Sequence, residues 1–261
     1  MWTEPAELVL TANSARAIAE SAVRGGFRVQ VLDGFCDQDT RALGPCTLVP
    51  MAGWGLDPAR LRGAIERLGA SGGAPLGLVY GAGLESSPEL LSALPGEMRL
   101  LGNGPAVLAL LADPVRFFAL LNRLEIPHPQ TRFDPPPAAD TALWLLKACG
   151  GSGGLGLSYW RYDGLRPAGP HYFQRRLDGD PMSVLFIANG TGFEVIGFNR
   201  LLVADGGTDQ PFLYGGAIGQ ATLAEPVRQA VVGWVEALVG ALGLCGLNSL
   251  DFILDHGHAY L

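Results

Sequence analysis

Leu145-Leu146-Lys147-Ala148-Cys149-Gly150-Gly151-Ser152-Gly153-Gly154-Leu155-Gly156-Leu157-Ser158-Tyr159-Trp160 is the stretch that decides how this chain is read. A lysine ends an apolar strand, a glycine-rich loop follows, and a second strand begins at once. Glycines let backbone N–H groups converge on an anion without interference from a Cβ. The lysine adds a mobile point charge suited to phosphate. Gly151-x-Gly153-x-x-Gly156 also matches a dinucleotide fingerprint in outline. That fingerprint requires a helix after the glycines, so that a pyrophosphate can sit at its N-terminus. Leu155, Leu157, Tyr159 and Trp160 read as a β segment instead. The lysine precedes the glycines, which excludes a Walker loop. The physical reading is a hairpin flap that closes over nucleotide phosphates, with a plain surface hairpin as the alternative.

Composition bounds what surrounds this flap. The chain has 261 residues, 48% of them hydrophobic and 16% charged, enough for a sizeable core in more than one lobe. Its net charge of −7 comes with no basic stripe, which argues against a nucleic-acid partner. No apolar run reaches membrane-spanning length, and Glu4 and Glu7 argue against a signal peptide. Cys36, Cys46, Cys149 and Cys245 form no CxxC pair, so the expectation is reduced thiols in a cytoplasmic protein rather than disulfides or a zinc site. Glycines and prolines fall between periodic segments, as short turns require.

Outward from the flap, the first hundred residues alternate strand and helix. Leu8–Leu10, Arg28–Leu32, Thr47–Val49 and Leu76–Tyr80 read as strands, and 15–23 and 58–68 as helices. Such alternation predicts a parallel sheet covered by helices. Asp33 stands where a dinucleotide-binding acid would lie, yet the first turn, Thr11-Ala12-Asn13-Ser14-Ala15-Arg16, has no glycine for pyrophosphate. A structural role and a substrate-side role for Asp33 both stay open. Leu100-Leu101-Gly102-Asn103-Gly104-Pro105 reads as a boundary. Helices over 106–111 and 113–124 follow, the second capped by Asp113 with Pro114 in its first turn. Pro127, Pro129 and Pro135-Pro136-Pro137 read as an extended connector. From Leu143 on, the pattern turns to strands, interrupted by a helix over 226–242, and ends in a hairpin that turns at Asp255-His256-Gly257-His258. The histidines, His128 and His171 included, read as surface residues.

These segments, in this order, resemble the ATP-grasp superfamily over essentially the whole chain. Within it, the similarity is to the carboxylate–amine ligase branch related to the tyramine– or tyrosine–glutamate ligases of methanofuran and methylofuran biosynthesis. The opening Ser14–Glu20 with Asp33–Arg41 is similar to that branch's N-terminal lobe. The resemblance implies an α/β ATP-grasp fold: a Rossmann-like N-terminal lobe over 1–104, a lid subdomain with the flap over 105–180, and a core subdomain over 181–261.

It also implies site residues. Lys147 matches the lysine that contacts ATP phosphates, and Gly150, Gly151, Ser152, Gly153, Gly154 and Gly156 match the flap over them. Phe173-Gln174-Arg175-Arg176-Leu177-Asp178-Gly179-Asp180 resembles the linker whose backbone reads the adenine edge, which brings in Gln174, Arg175 and Leu177. The ribose acid of the family aligns with Pro181, leaving Asp180 or Asp178 to replace it, although Asp178-Gly179 is equally a hairpin turn. Asp251 matches a carboxylate that holds Mg²⁺, and an aspartate in an apolar strand is costly to bury unpaired. The family continues with a Glu-x-Asn ligand motif that lies beyond Leu261, so the reading expects a truncated form or a protein without catalysis. Arg200 is the candidate cation at the transferring phosphate, because Ser249 stands where the family arginine would be. Pro114 replaces a family lysine, with Arg116 as a substitute. Phe212–Gly216 is similar to a substrate-side loop or is a plain strand end, and Asn248 is a further candidate contact in the cleft.

The implied activity is ATP-dependent joining of a carboxylate, L-glutamate, to an amine, tyrosine or tyramine, with ATP and Mg²⁺ and with small molecules as partners. A homodimer is left open; membranes and nucleic acids are not expected. Two alternatives remain: a non-catalytic ATP-binding module, and a Rossmann-type oxidoreductase using the Gly151-x-Gly153-x-x-Gly156 run.

Overall fold

A computed structural model describes residues 6–53, 55–70, 75–84, 87–92, 94–95, 98–137, 139, 143–151, 153–162, 169–207 and 210–261. The chain divides into two compact units, Met1–Ala109 and Leu110–Leu261. The division falls later than the Gly104-Pro105 boundary read from the sequence. The reason is packing: Leu108 joins the apolar core of the first unit.

The first unit contains β1 (Glu7–Ala12), α1 (Arg16–Arg24), β2 (Arg28–Asp33), α2 (Gln38–Leu43), β3 (Cys46–Leu48), β4 (Met51–Ala52), β5 (Gly55–Leu56), α3 (Pro58–Ala70), β6 (Gly77–Tyr80) and β7 (Arg99–Leu100). Its main sheet has the order β3-β2-β1-β6-β7 with parallel pairing throughout. Period-two alternation in β1 splits the core in two. Leu8, Leu10 and Ala12 pack with Ala15 and Ala19 of the α1 side, whereas Val9 packs with Leu61, Ala64 and Ile65 of α3. Helices therefore cover both faces, as the alternation predicted.

The second unit begins beyond α4 (Pro105–Leu111), which crosses the division, with α5 (Pro114–Arg123). Asp113 caps α5 by accepting from the N–H groups of Val115 and Arg116. Next come β8 (Thr131–Arg132), β9 (Trp144–Ala148), β10 (Leu157–Tyr159) and β11 (His171–Arg175), which form an antiparallel sheet in the order β10-β9-β11-β8. β8 lies inside what the prolines suggested was plain connector. As an edge strand it tolerates prolines on either side. The last elements are β12 (Asp180–Asn189), β13 (Phe193–Gly206), β14 (Gln210–Ile218), α6 (Glu225–Leu242), β15 (Cys245–Asp255) and β16 (His258–Tyr260). They make a second antiparallel sheet, β14-β13-β12-β15-β16. Val231, Trp234, Val235, Leu238 and Val239 turn the apolar face of α6 inward, and Gly243 in the left-handed conformation (φ 64°) ends the helix.

Two expectations, on the cysteines and on His128, change here, and the open reading of Asp33 is decided. Cys36 and Cys46 are joined in a disulfide, with Cα atoms 6.0 Å apart. Parallel pairing of β2 and β3 sets Cys46 beside Val31, so the turn after β2 reaches back to it; spacing in the sequence does not reveal this. Asp33 is fully buried and structural: its carboxylate accepts from the N–H groups of Ala15 (2.5 Å), Phe35 (2.7 Å) and Cys36 (2.6 Å). It thus ties the start of α1 to a turn in which Cys36 has φ 46°. His128 is also half-buried, its ring 4.9 Å from that of Phe118.

Candidate functional site

Alternation along β9 gives the smaller sheet of the second unit two unlike faces. Trp144 and Leu146 join Phe173 and Trp160 in an apolar cluster. Leu145 and Lys147 point to the other side, together with Tyr172 and Gln174 of β11, their partners across the ladder. Lys147 Nζ donates to Gln174 Oε1 at 3.0 Å and stands 5.7 Å from the centre of the Tyr172 ring. Gln174 Nε2 donates to Thr131 Oγ1 at 3.4 Å, and Thr131 Oγ1 donates to the Pro129 carbonyl at 3.0 Å. The lysine is therefore the end of a relay that starts in the connector before β8. The linker glutamine serves here through its side chain, as the holder of the lysine.

The larger sheet supplies the opposing charge. Ser183 of β12 pairs with Asn199 of β13 on one side and Asp251 of β15 on the other. Directly opposed residues share a face of the sheet, so Asn199, Ser183 and Asp251 form one polar row. Asn199 Nδ2 donates to Ser183 Oγ at 3.1 Å, and Ser249 Oγ donates to Asp251 Oδ1 at 3.2 Å. Enclosure holds the Lys147 ammonium below the ordinary lysine range, opposed by the negative charge of Asp251. Asp251 keeps solvent-accessible surface, yet protein crowds its carboxylate. That crowding pushes its carboxyl group up, against the Ser249 hydrogen bond and the Lys147 charge. Burial, and then Cys149, push the Tyr172 hydroxyl up to about 12. Burial, and then Asp113, also raise the Cys149 thiol. A cation and a carboxylate thus sense each other from two different sheets.

The glycine run forms the expected hairpin between β9 and β10. Leu157 pairs with Lys147 and Tyr159 with Leu145, and the Ala148 N–H donates to the Gly156 carbonyl at 2.8 Å. Gly150, Gly153, Gly154 and Gly156 all have positive φ, which explains why the run needs glycine. A strand, β10, follows the glycines where a helix is required, so the dinucleotide-fingerprint reading and the oxidoreductase built on it are set aside. Ser152 lies outside the described residues.

Several expected residues are not brought to this cluster. Arg200 pairs with Met182, one residue out of phase with the Asn199–Ser183–Asp251 row, so it occupies the opposite face, where it meets Asp180 at 3.6 Å. The register thus takes both Arg200 and Asp180 away from Asp251, and Asn199 stands in the row instead. Asp178 forms an ion pair with Arg176, and Arg176 in turn lies 5.4 Å from the Tyr159 ring centre. The Arg175 side chain is exposed and the backbone N–H of Arg175 donates to the Gln130 carbonyl, while Leu177 is half-buried. Asn248 donates to the carbonyls of Cys245 and Gly246 and pairs with buried Phe186, on the face away from Asp251. Phe212–Gly216 is part of edge strand β14 rather than a loop. Sequence reasoning missed Thr131, Ser183 and Asn199. Only strand parity taken from Asp251 through a known register finds the last two.

Among the described residues, no group of three or more His, Cys, Asp or Glu is placed to hold a metal, and no single helix is long and apolar enough to cross a membrane.

The family model described as an ATP-grasp domain matches residues 111–261, more than half of the chain. No curated protein matches the sequence. Among solved structures, the ADP complex of purK, an N5-carboxyaminoimidazole ribonucleotide synthetase, is similar over 100% of this chain and 70% of its own, with 16% identity and a TM-score of 0.75. The N5-carboxyaminoimidazole synthetase from Staphylococcus aureus, complexed with ADP, is similar over 99% and 69%, with 16% identity and a TM-score of 0.73. An L-amino acid ligase from Bacillus licheniformis is similar over 99% and 66%, with 17% identity and a TM-score of 0.72. At these identities the likeness speaks for the fold. With the matching domain model spanning the two sheets that carry Lys147 and Asp251, the chain belongs to the ATP-grasp family.

Proposed function

We propose that this protein is an ATP-dependent ligase that joins a carboxylate to an amine, with residues 110–180 as the lid and 181–261 as the core around the nucleotide. One observation carries the reading: Lys147, held by Gln174 beside a glycine hairpin, faces the charge of Asp251 from a separate sheet. Anionic phosphates between the two would gain the lysine charge and the flap N–H groups. Asp251 fits Mg²⁺, a hard cation usually held by one or two carboxylates with phosphate oxygens supplying the rest. When bound, that ion neutralises phosphate charge. The chain's own residues orient and exclude water: Gln174 fixes the lysine, and the hairpin covers the phosphates. In the reaction, a carboxylate oxygen attacks the γ-phosphorus and the bond to the β-phosphate oxygen breaks, releasing ADP and leaving an acylphosphate. The amine nitrogen then attacks the acyl carbon, phosphate departs, and the nitrogen loses its proton to water. L-glutamate with tyrosine or tyramine, as in methylofuran-type cofactor synthesis, is the substrate pair that the resemblance implies.

A second reading has its own support. Among the described residues, Asp251 belongs to no group of three or more His, Cys, Asp or Glu placed to hold a metal, which suits a module that binds ATP without turning it over. One experiment separates the two. ADP release is measured over pairs of amino acids and amines, L-glutamate with tyramine included, alongside direct ATP binding. Release that depends on both substrates supports the ligase; binding without release for any pair supports the module. Absence of ATP binding removes both.

A further inference from the structure

The flap hairpin is tied to the far edge of the larger sheet. The Tyr214 N–H donates to the Gly153 carbonyl at 2.9 Å. Tyr214 lies on β14, the outermost strand, opposite Val203 of β13. An N–H that reaches the hairpin points away from β13, and on a bare edge it would face water. Gly154 (φ 81°) sits so close to β14 that a Cβ there would overlap the Phe212 carbonyl oxygen. At the base of the hairpin, the Tyr159 ring lies 5.2 Å from that of Phe212. A register irregularity between Leu202 and Val203 passes over Gly215 and shifts Tyr214 in the ladder. Backbone, a Cβ-free seat and a ring pair thus meet along one short length of strand.

We propose that the edge of β14 is the latch of the flap. The Tyr214 N–H bond to Gly153 and the seat of Gly154 on Phe212 hold the hairpin down, and a ligand enters or leaves by breaking this seam. The consequence for ligand traffic rests on the nucleotide reading above; the latch itself does not.

Hydrogen exchange on the nucleotide-free protein tests the latch directly. The Tyr214 amide is expected to exchange about tenfold faster in Gly154→Val than in wild type, the order of one lost hydrogen bond. Gly150→Val puts the same side chain at a like φ (80°) with nothing within 4 Å, and is expected to leave that amide protected. Tyr214→Pro removes the donor on the open side of an edge strand, where proline is tolerated, while Tyr214→Ala keeps it. Dissociation of a fluorescent ATP analogue is expected to quicken about tenfold in Tyr214→Pro and not in Tyr214→Ala. A wild-type Tyr214 amide that exchanges as fast as in Gly154→Val overturns the latch. So does equal acceleration by the proline and alanine variants. If wild type binds no analogue, the nucleotide reading falls, and the exchange comparison alone still decides the latch.

Discussion

Lys147 is a charged group enclosed by protein, and it carries the clearest chemistry in the second unit. Its ammonium is held below the ordinary lysine range by desolvation, so the folded chain gives up this proton at lower pH than the unfolded chain. The sign follows from linkage: the unfolded state binds more protons between the folded pKa and 10.5, so this lysine makes stability rise with pH through that window. Lys147→Met keeps the length of the side chain and removes the charge. It is expected to flatten that alkaline rise and to raise the melting temperature at neutral pH, while ATP affinity falls at least tenfold, the order of one charged phosphate contact. Thermal melts across pH and a binding titration check the three effects together; a variant that keeps wild-type affinity places the phosphates elsewhere. The lysine itself was legible, because a charge at the end of an apolar strand before glycines has few other uses. Its partner was not, because Gln174 lies 27 positions away and meets it only through the register of β9 and β11.

At the scale of the element, strand parity decides which polar groups share a surface. Asn199 and Arg200 are adjacent in sequence and stand on opposite faces of β13. Arg200 invites a phosphate role from its charge alone, but its face carries Met182 and its ion pair is with Asp180. Asn199→Ala is expected to lower turnover about tenfold, while Arg200→Ala stays within about twofold, since exposed ion pairs contribute little. Steady-state kinetics on both variants measures this, and the reverse ranking would return Arg200 to the cleft. The long strands and α6 were plain from period and length. β8 was not, because two residues between prolines carry no periodic signal and become a strand only by pairing with Phe173 and Gln174. Asp33 shows the converse: its position left a substrate-side role open, and three backbone N–H groups made it a clasp.

For the whole molecule, the polar groups that define the candidate site, Thr131, Lys147, Gln174, Ser183, Asn199 and Asp251, all belong to Leu110–Leu261. Nucleotide added at a hundred times its dissociation constant is expected to stabilise the protein by about 2.7 kcal/mol. Slowed hydrogen exchange should concentrate in β9, β11, β12 and β15; protection confined to Met1–Ala109 would place the site in the other unit. The sequence by itself determined the main helices and strands, the parallel sheet of the first unit, the flap and the lysine before it. These rest on local properties: hydrophobic period, glycine conformation and a charge beside an apolar run. Only the tertiary structure decided the Cys36–Cys46 disulfide, the exclusion of Arg200 from the Asp251 face, the relay behind Lys147 and the seating of the flap on β14. Each depends on which strand lies beside which and in what register, and a shift of one residue exchanges the two faces of a strand while leaving its sequence pattern unchanged.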